Sequence, residues 1–318
     1  MAILRTDLAE ESFRALGQDQ FPGVAVNHWE AMGVTMTEVI VQTEDAAQRL
    51  QKPVGTYLTL ESGGIRRREA EARMALSSLL GEELRRMLPR TEERPTLVVG
   101  LGNRMVTPDA LGPMTVDHTL VTRHMFEARP EYVDMRMKSV CAIAPGVLGV
   151  TGVETFETVR ALVDVLSPGC VIAVDSLCAG TTSRIAATIQ LADTGIQPGS
   201  GVGNHRKALT EETLGVKVIG VGVPMVIYAP SIARDALAML PWFADREDGE
   251  GDGDMDGLAR IDQLTEQLYD SDMGQMIVTP REVDELVMDV ASVLGSGINQ
   301  ALQPELSERE IAELMSRG

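Results

Sequence analysis

Aromatic side chains are scarce in this sequence: Phe, Trp and Tyr together make up 3% of its 318 residues. Proteins that bind single-stranded nucleic acid stack bases on aromatic rings, so this scarcity argues against that class. Basic residues are also outnumbered, with 28 Lys and Arg against 47 Asp and Glu, a formal net charge of −19. Such an acidic chain repels phosphate backbones and anionic lipids, so we expect no direct nucleic-acid or membrane partner.

Cysteine is rare as well. Cys141, Cys170 and Cys178 lie in apolar runs without a CxxC pair, which predicts buried, reduced thiols rather than a disulfide framework. The longest uncharged run, residues 218–233, contains Gly and Pro and is shorter than the ~18 apolar residues of a membrane helix. Residues 1–12 carry charges and have no signal-peptide core. We therefore expect a soluble, cytoplasmic protein.

Short aliphatic runs predict a central sheet. They lie at 24–29, 36–42, 54–60, 97–101, 140–144, 171–174, 188–192 and 216–223. Several lack polar alternation, which is typical of strands buried on both faces. Helical spacing of apolar residues is found at 61–88, 111–126, 155–166, 280–294 and 305–315. The sequence predicts an α/β fold: a central mixed, mainly parallel sheet flanked by helices, with an N-terminal β extension and C-terminal helices.

The chain length allows one large α/β domain or two smaller ones. We expect a single catalytic domain over 1–318, with an N-terminal segment at 1–20 and a C-terminal helical region at 258–318. Between the sheet and that region, residues 246–257 predict an acidic loop.

The acidic loop partly matches the spacing of a calcium-binding loop. Asp252, Asp254 and Asp256 stand at ligand positions, but Gln263 occupies the place of the bidentate Glu. The loop is therefore interpreted as a solvated acidic segment.

Two carboxylates stand where open α/β sheets bind ligands, outside the carboxyl ends of strands. Asp175 follows the apolar run 171–174. Because a buried, unpaired carboxylate is costly, Asp175 must cap a turn, pair with a cation or take part in chemistry. Asp109 follows another apolar run and a glycine turn, at the start of a predicted helix. It is either an N-cap or a catalytic acid. Two neighbouring aspartates do not both ionise easily, so one holds a proton while the other activates water.

A glycine-rich segment offers a possible anion site. Gly199, Gly201 and Gly203 allow a backbone nest whose N–H groups face an anion or an oxyanion. Their spacing fits neither a Walker A loop nor GxGxxG. Asp193, in Asp-Thr-Gly, is a third candidate acid. A tight turn is the alternative for this segment.

Other nucleophiles are less well supported. The histidines, at positions 28, 118, 124 and 205, form no HExxH pair and have no CxxC partner, so no zinc site is predicted. Cys178 lies in apolar surroundings, which disfavours a thiol mechanism. The sequence has no GxSxG elbow. Carboxylates are the best acid–base candidates, and we expect no cofactor.

Seven blocks in one register carry a resemblance to a known family. They are RTDLA (5–9), KPVGTYLTLES (52–62), VVGLGN (98–103), VTPDALGP (106–113), APGVLGVTGVET (144–155), ATIQLADTGIQPGSGVGNHRK (187–207) and GVPMVI (222–227). Together they resemble the germination proteases of spore-forming bacteria, endopeptidases that degrade small acid-soluble spore proteins. The match runs to about residue 230; the acidic insert and the C-terminal helices match less clearly.

The resemblance implies an α/β fold similar to that of the hydrogenase-maturation peptidases, and an atypical aspartic protease. The two essential aspartates of the family fall on Asp109 and Asp175, and Asn103 matches the Gly-Asn that precedes the first. The resemblance further implies a homotetramer in the spore core, made as a zymogen that loses an N-terminal pro-segment. Only Met1–Leu4 precede RTDLA here, a departure from the long pro-segment of the family.

The resulting hypothesis is general acid–base hydrolysis of a peptide bond. One aspartate deprotonates water and the other protonates the leaving amine, while N–H groups of the 199–203 loop stabilise the oxyanion. The family cuts after Glu, so a cation should meet that side chain. The candidate cations are Arg184, His205, Arg206 and Lys207.

Three alternatives stay open at this point. A nickel-dependent peptidase similar to the hydrogenase-maturation enzymes needs a third ligand, such as His118. A non-catalytic phosphate- or nucleotide-binding α/β protein would use the 199–203 nest. A structural spore-core protein would need neither aspartate.

Overall fold

The computed structural model describes residues 5–16, 21–89, 94–128, 131, 133–197, 207–240 and 257–316. Within these residues nine strands form one sheet in the order β1-β2-β3-β7-β8-β6-β4-β5, with β9 pairing to β8. The strands are β1 (Val24–Ala31), β2 (Val34–Val41), β3 (Gly55–Glu61), β4 (Thr96–Gly100), β5 (Val140–Ile143), β6 (Cys170–Ala179), β7 (Thr188–Ala192), β8 (Val218–Tyr228) and β9 (Ile277–Val278).

Helices alternate with the strands along the chain, and the last helices follow the final strand. They are α1 (Ala9–Arg14), α2 (Glu44–Leu50), α3 (Ala70–Met87), α4 (Leu111–Asp117), α5 (Arg123–Ala128), α6 (Leu148–Thr151), α7 (Thr155–Leu166), α8 (Glu211–Leu214), α9 (Ala229–Ala238), α10 (Gly257–Tyr269), α11 (Val283–Leu302) and α12 (Glu308–Met315). None of the described helices is both long enough and apolar enough to cross a membrane.

The sheet has two parts of opposite character. Strands β5, β4, β6 and β8 pair parallel with one another and form the parallel half. Strands β1, β2, β3 and β7 pair antiparallel and form the antiparallel half, which joins β8 through β7. The β1–β2 hairpin closes on Met32 and Gly33, both at positive φ, the combination that a two-residue type I′ turn requires. The predicted mixed α/β class is confirmed, with the parallel pairing confined to four strands.

Alternation along β6 divides the core between the two faces of the sheet. Ile172 and Val174 pack in the large cluster that includes leucines of α3 and α11; we call this the first face. Val171 and Ala173 pack with residues of α7 on the second face. Because successive side chains point to opposite faces, Asp175 belongs to the second face.

Four predicted helices have different bounds in the structure: those predicted at 280–294 and 305–315 run over Val283–Leu302 and Glu308–Met315, and two others differ more. The helix predicted from residue 61 begins at Ala70, because residues 63–68 form turns in which Arg68 has φ 58°. The Ser62 hydroxyl accepts from Gly64 N instead of capping the helix. The helix predicted over 111–126 is two helices, since Leu120 N and Thr122 N donate to acceptors in α11 and β5. The acidic loop lies outside the described residues, apart from Gly257.

Candidate active site

A tight loop after β4 orients Asp109. Gly102 has φ +106°, and a Cβ at this position would lie 2.0 Å from the Asp109 carbonyl oxygen, so only glycine fits. The Asp109 carboxylate reaches back over this turn, where Oδ2 accepts from Asn103 N at 2.8 Å. The N-cap of α4 is Ala110, without a side-chain cap. Asp109 is therefore not the N-cap that the sequence offered as an alternative.

Close backbone packing places this loop over the end of β6. A Cβ on Gly112, in the first turn of α4, would lie 2.3 Å from Leu101 O and 2.6 Å from Val174 O. Leu101 N also donates to Val174 O at 2.8 Å. The start of α4 therefore rests on the junction of β4 and β6, which fixes the Asp109 loop beside the residue that follows Val174.

That next residue is Asp175, which is 5% exposed. It lies inside β6 rather than after it, because β6 continues to Ala179. Its neighbour β4, however, ends at Gly100, which is level with Val174. Asp175 thus stands just beyond the carboxyl end of β4, and its Oδ1 accepts from Ser176 N at 2.9 Å. Asp109 and Asp175 therefore both lie beside the carboxyl end of β4.

A cavity of about 480 Å³ opens on the second face of the sheet. Its floor includes Leu177, Gly220 and Gly222. Gly222 is the direct partner of Asp175 on β8, and Leu177 is two residues along β6, on the same face as Asp175. The cavity therefore lies next to Asp175, across one strand spacing.

The chain around residues 5–9 forms one wall of the cavity and is tied to the sheet by hydrogen bonds. Asp7 N donates to Cys178 O at 3.0 Å, and Cys178 N donates to Asp7 Oδ2 at 2.8 Å. Gln190 of β7 bridges the same segment, since its Nε2 donates to Asp7 O and its Oε1 accepts from Ala9 N. The Arg5 guanidinium lies over the rings of Tyr228 and Tyr269, at 5.2 and 4.6 Å from their centroids.

Lys52 and Tyr57 complete the opposite side of the cavity. The Tyr57 hydroxyl donates to Pro53 O at 2.9 Å, and burial raises the pKa of Tyr57 to about 12. Burial lowers the pKa of Lys52, while the charges of Asp7 and Glu11 act in the opposite direction. These wall residues carry no motif of their own, and only the resemblance of the RTDLA and KPVGTYLTLES blocks could have drawn attention to them.

Asp193 stands apart from the other two aspartates. Its Oδ1 accepts from Thr56 N at 2.8 Å and so holds the start of β3. Strand β7 runs antiparallel to β8, with Gln190 level with Gly222 and Ala192 level with Gly220. The chain therefore moves away from Asp175 as it approaches Asp193.

The predicted cations also have structural contacts. The Arg184 side chain is 5% exposed and pairs with Glu10 at 3.0 Å and Glu61 at 2.6 Å. Lys207 Nζ lies 3.9 Å from the centroid of the Phe156 ring. The remaining predicted site residues, Gly199, Gly201, Gly203, His205 and Arg206, lie outside the described residues.

No group of three His, Cys, Asp or Glu that could hold a metal ion is found among the described residues. His118 is the C-cap of α4, at the opposite end of that helix from Asp109, and its Cβ lies near Gly295 of α11. The three cysteines are free, and burial raises the pKa of each thiol, that of Cys170 to about 12.

Comparisons with known proteins point to one family. The family model for germination protease matches residues 3–274. A germination protease of Caldanaerobacter subterraneus subsp. tengcongensis is 37% identical, covering 98% of each chain. One from Clostridium perfringens is 36% identical over 99% of this chain and all of the relative. One from Bacillus cereus is 37% identical over 96% of this chain and 95% of the relative.

Among solved structures, a [NiFe] hydrogenase maturation protease HycI from Thermococcus kodakarensis matches 59% of this chain and 97% of its own. The TM-score is 0.30 and the identity 17%. A likeness at this level supports no argument about the site.

Proposed function

We infer that this chain, which belongs to the germination protease family, hydrolyses small acid-soluble spore proteins and uses Asp109 and Asp175 as its acid–base pair. Family membership makes the chain an endopeptidase that acts on protein substrates. The observation that supports the pair is its placement. Asp109, in the loop after β4, and Asp175, one residue beyond the level at which β4 ends, both lie beside the carboxyl end of that strand, which is the side on which α/β sheets bind ligands.

The proposed reaction adds one water molecule across one peptide bond. One carboxylate takes a proton from a water molecule as the water oxygen bonds to the carbonyl carbon of the peptide. The protonated partner then gives its proton to the amide nitrogen as the C–N bond breaks. Backbone donors at Asn103 and Ser176 hold the two carboxylates in place. Backbone N–H groups of the 199–203 loop are the proposed donors to the oxyanion.

The proposed location, oligomeric state and zymogen control of the protein follow from its resemblance to the family. We place the protein in the spore core, as a homotetramer under zymogen control, with residues 1–318 acting as one catalytic domain. The strands of both halves enter one sheet, which supports the single domain. The nickel-dependent, phosphate-binding and purely structural alternatives are not favoured by relatives that carry the germination protease name over nearly the whole chain.

The pair is tested by Asp109→Asn and Asp175→Asn, with Asp270→Asn at an exposed position as the matched control. Each folded variant is incubated with a small acid-soluble spore protein, and the fragments are identified by mass spectrometry. Loss of an acid or a base should lower the rate of cleavage by about 10²- to 10⁴-fold, and the control should keep wild-type activity. Full activity in either site variant would end the proposal, and loss of wild-type activity on chelation would favour the nickel alternative.

A further inference from the structure

The side chain of Lys52, in the turn between α2 and β3, lines the cavity and carries an ammonium group. Helix α2 ends at Gln51 in a left-handed conformation, and Lys52 N donates back to Ala47 O. The half-buried side chain lines the cavity. These contacts fix the backbone of the turn, so Lys52 is anchored where its side chain starts.

The ammonium group makes one hydrogen bond to the described residues, from Nζ to Thr6 O at 3.4 Å. An ammonium carries three donors, and 3.4 Å is long for an N–H···O bond. Partial burial of this group lowers the pKa of Lys52. A partly buried cation with donor capacity left is a binding point for an anionic acceptor.

The carboxylates closest to Lys52 are bound to other donors. Glu11 accepts from Gly180 N and the Thr181 hydroxyl, and Asp7 accepts from Cys178 N. Their charges help to keep Lys52 protonated, while these hydrogen bonds hold both carboxylates near the end of β6. The second cation of the cavity, Arg5, faces two tyrosine rings. Lys52 is therefore the cation best placed to meet a ligand in the cavity.

We propose that this cavity is a substrate subsite in which Lys52 binds the carboxylate of an acidic side chain close to the bond that is cleaved. The proposal rests on the proposed function, because it needs a polypeptide at Asp175. A volume of about 480 Å³ accommodates one side chain and its adjoining backbone, and Gly222 on the floor pairs directly with Asp175. A residue held here is next to Asp175.

The test compares matched peptide substrates. Cleavage sites in a small acid-soluble spore protein are first mapped with the wild-type protein, and peptides spanning one site are then made with Glu or Gln at each acidic position. kcat/KM is measured for the wild type, for Lys52→Met and Lys52→Arg, and for Arg309→Met, which removes an exposed cation on α12. Circular dichroism and thermal melting establish that each variant is folded.

The wild type should prefer Glu over Gln at one position by about 10- to 100-fold, since an amide cannot replace the ion pair. Lys52→Met should bring this ratio close to one by lowering kcat/KM for the Glu peptide. Lys52→Arg should keep part of the preference, and Arg309→Met all of it.

Two results would overturn the subsite. One is an active Lys52→Met protein that keeps the wild-type ratio. The other is a wild-type ratio near one at every acidic position, which needs no variant to fold. A wild-type protein that cleaves none of these substrates would refute the proposed function instead, so the two failures are distinguishable.

Discussion

The two halves of the sheet use strand-end aspartates differently. In the parallel half, Asp175 lies just past the end of its neighbour β4, and Asp109 reaches the same edge from the loop after β4. In the antiparallel half, Asp193 follows β7 and binds Thr56 N at the start of β3. All three carboxylates accept a backbone N–H, so local hydrogen bonding alone does not separate a candidate catalytic acid from a structural one.

Strand direction separates them. Parallel neighbours bring their carboxyl ends to one edge, so loops that are far apart in sequence meet there. Antiparallel neighbours alternate, so an acid at the end of β7 meets the beginning of β3. The antiparallel half nevertheless contributes Gln190, Tyr57 and the adjoining Lys52 to the cavity. We therefore expect it to support stability and substrate binding, and the parallel half to support the chemical step.

The largest effect on stability is expected where the two halves are joined. Arg184, after β6, pairs with Glu61 at the end of β3 and with Glu10 of α1. Arg184→Met should lower the free energy of unfolding by about 3 kcal/mol, because truncating one partner leaves a buried carboxylate. The value lies at the low end of the usual range, since Arg14 still contacts Glu10.

Urea unfolding measures this change, with Arg309→Met as the control. That variant removes an exposed ion pair and should change the free energy of unfolding by at most about 0.5 kcal/mol. If Arg184→Met were as mild as the control, the two halves would not be coupled through this ion pair.

Asp193→Ala tests whether Asp193 has a structural role, in contrast to the catalytic role proposed for Asp175. It removes the acceptor of Thr56 N and should lower the free energy of unfolding by about 1–2 kcal/mol. Cleavage of a spore protein by the folded variant should stay within about threefold of wild type, unlike the loss expected for Asp175→Asn. An Asp193→Ala protein that is folded but inactive would move the chemistry into the antiparallel half.

The smallest effect concerns Lys52. Its pKa is lowered in the folded protein, chiefly by burial. The charged form is therefore less stable there than in the unfolded chain, and the penalty is full below the folded pKa. Between the folded pKa and the unfolded value of about 10.4, the unfolded chain binds more protons, so the stability of the wild type rises with pH.

Lys52→Met should therefore have a higher Tm than the wild type near neutral pH, by an amount that shrinks as the pH is raised. Lys52→Arg keeps the charge and should not gain stability. Melting curves at neutral and alkaline pH measure the difference. A Lys52→Met protein with a lower Tm at neutral pH would show that the ion pairing of Lys52 outweighs the cost of its burial.

Much of the fold could be predicted because burial leaves a local signal. Aliphatic runs located β4, β5, β6, β7 and β8 to within a few residues, since strands covered on both faces lose polar alternation. Asp175 could be selected because it directly follows such a run, and Asp109 because it follows another run through a glycine turn and a loop. Strand direction has no local signal, so nothing in residues 188–192 distinguished β7, which is antiparallel to both of its neighbours, from the strands of the parallel half.

The cavity could not be predicted from local patterns. Its wall depends on contacts between residues far apart in sequence, such as Asp7 with Cys178 and Gln190. Lys52 looks like an ordinary charged turn residue until the chain from Arg5 to Asp7 covers it. Arg184 shows the converse, because a basic residue in a polar loop suggested ligand binding and proved to be enclosed by two glutamates.

The attachment of Asp7 to β6 also determines when the cavity can form during synthesis. The segment that makes the wall is synthesised before its partners Cys178 and Gln190, which emerge from the ribosome more than 170 residues later. Contacts of such long range form slowly, because the entropy cost of closing a large loop comes before the contacts can stabilise the chain. A nascent chain would therefore carry its aspartates with an open, unwalled cavity until β8 has been made, and premature arrest before that point should leave a product unable to retain a substrate.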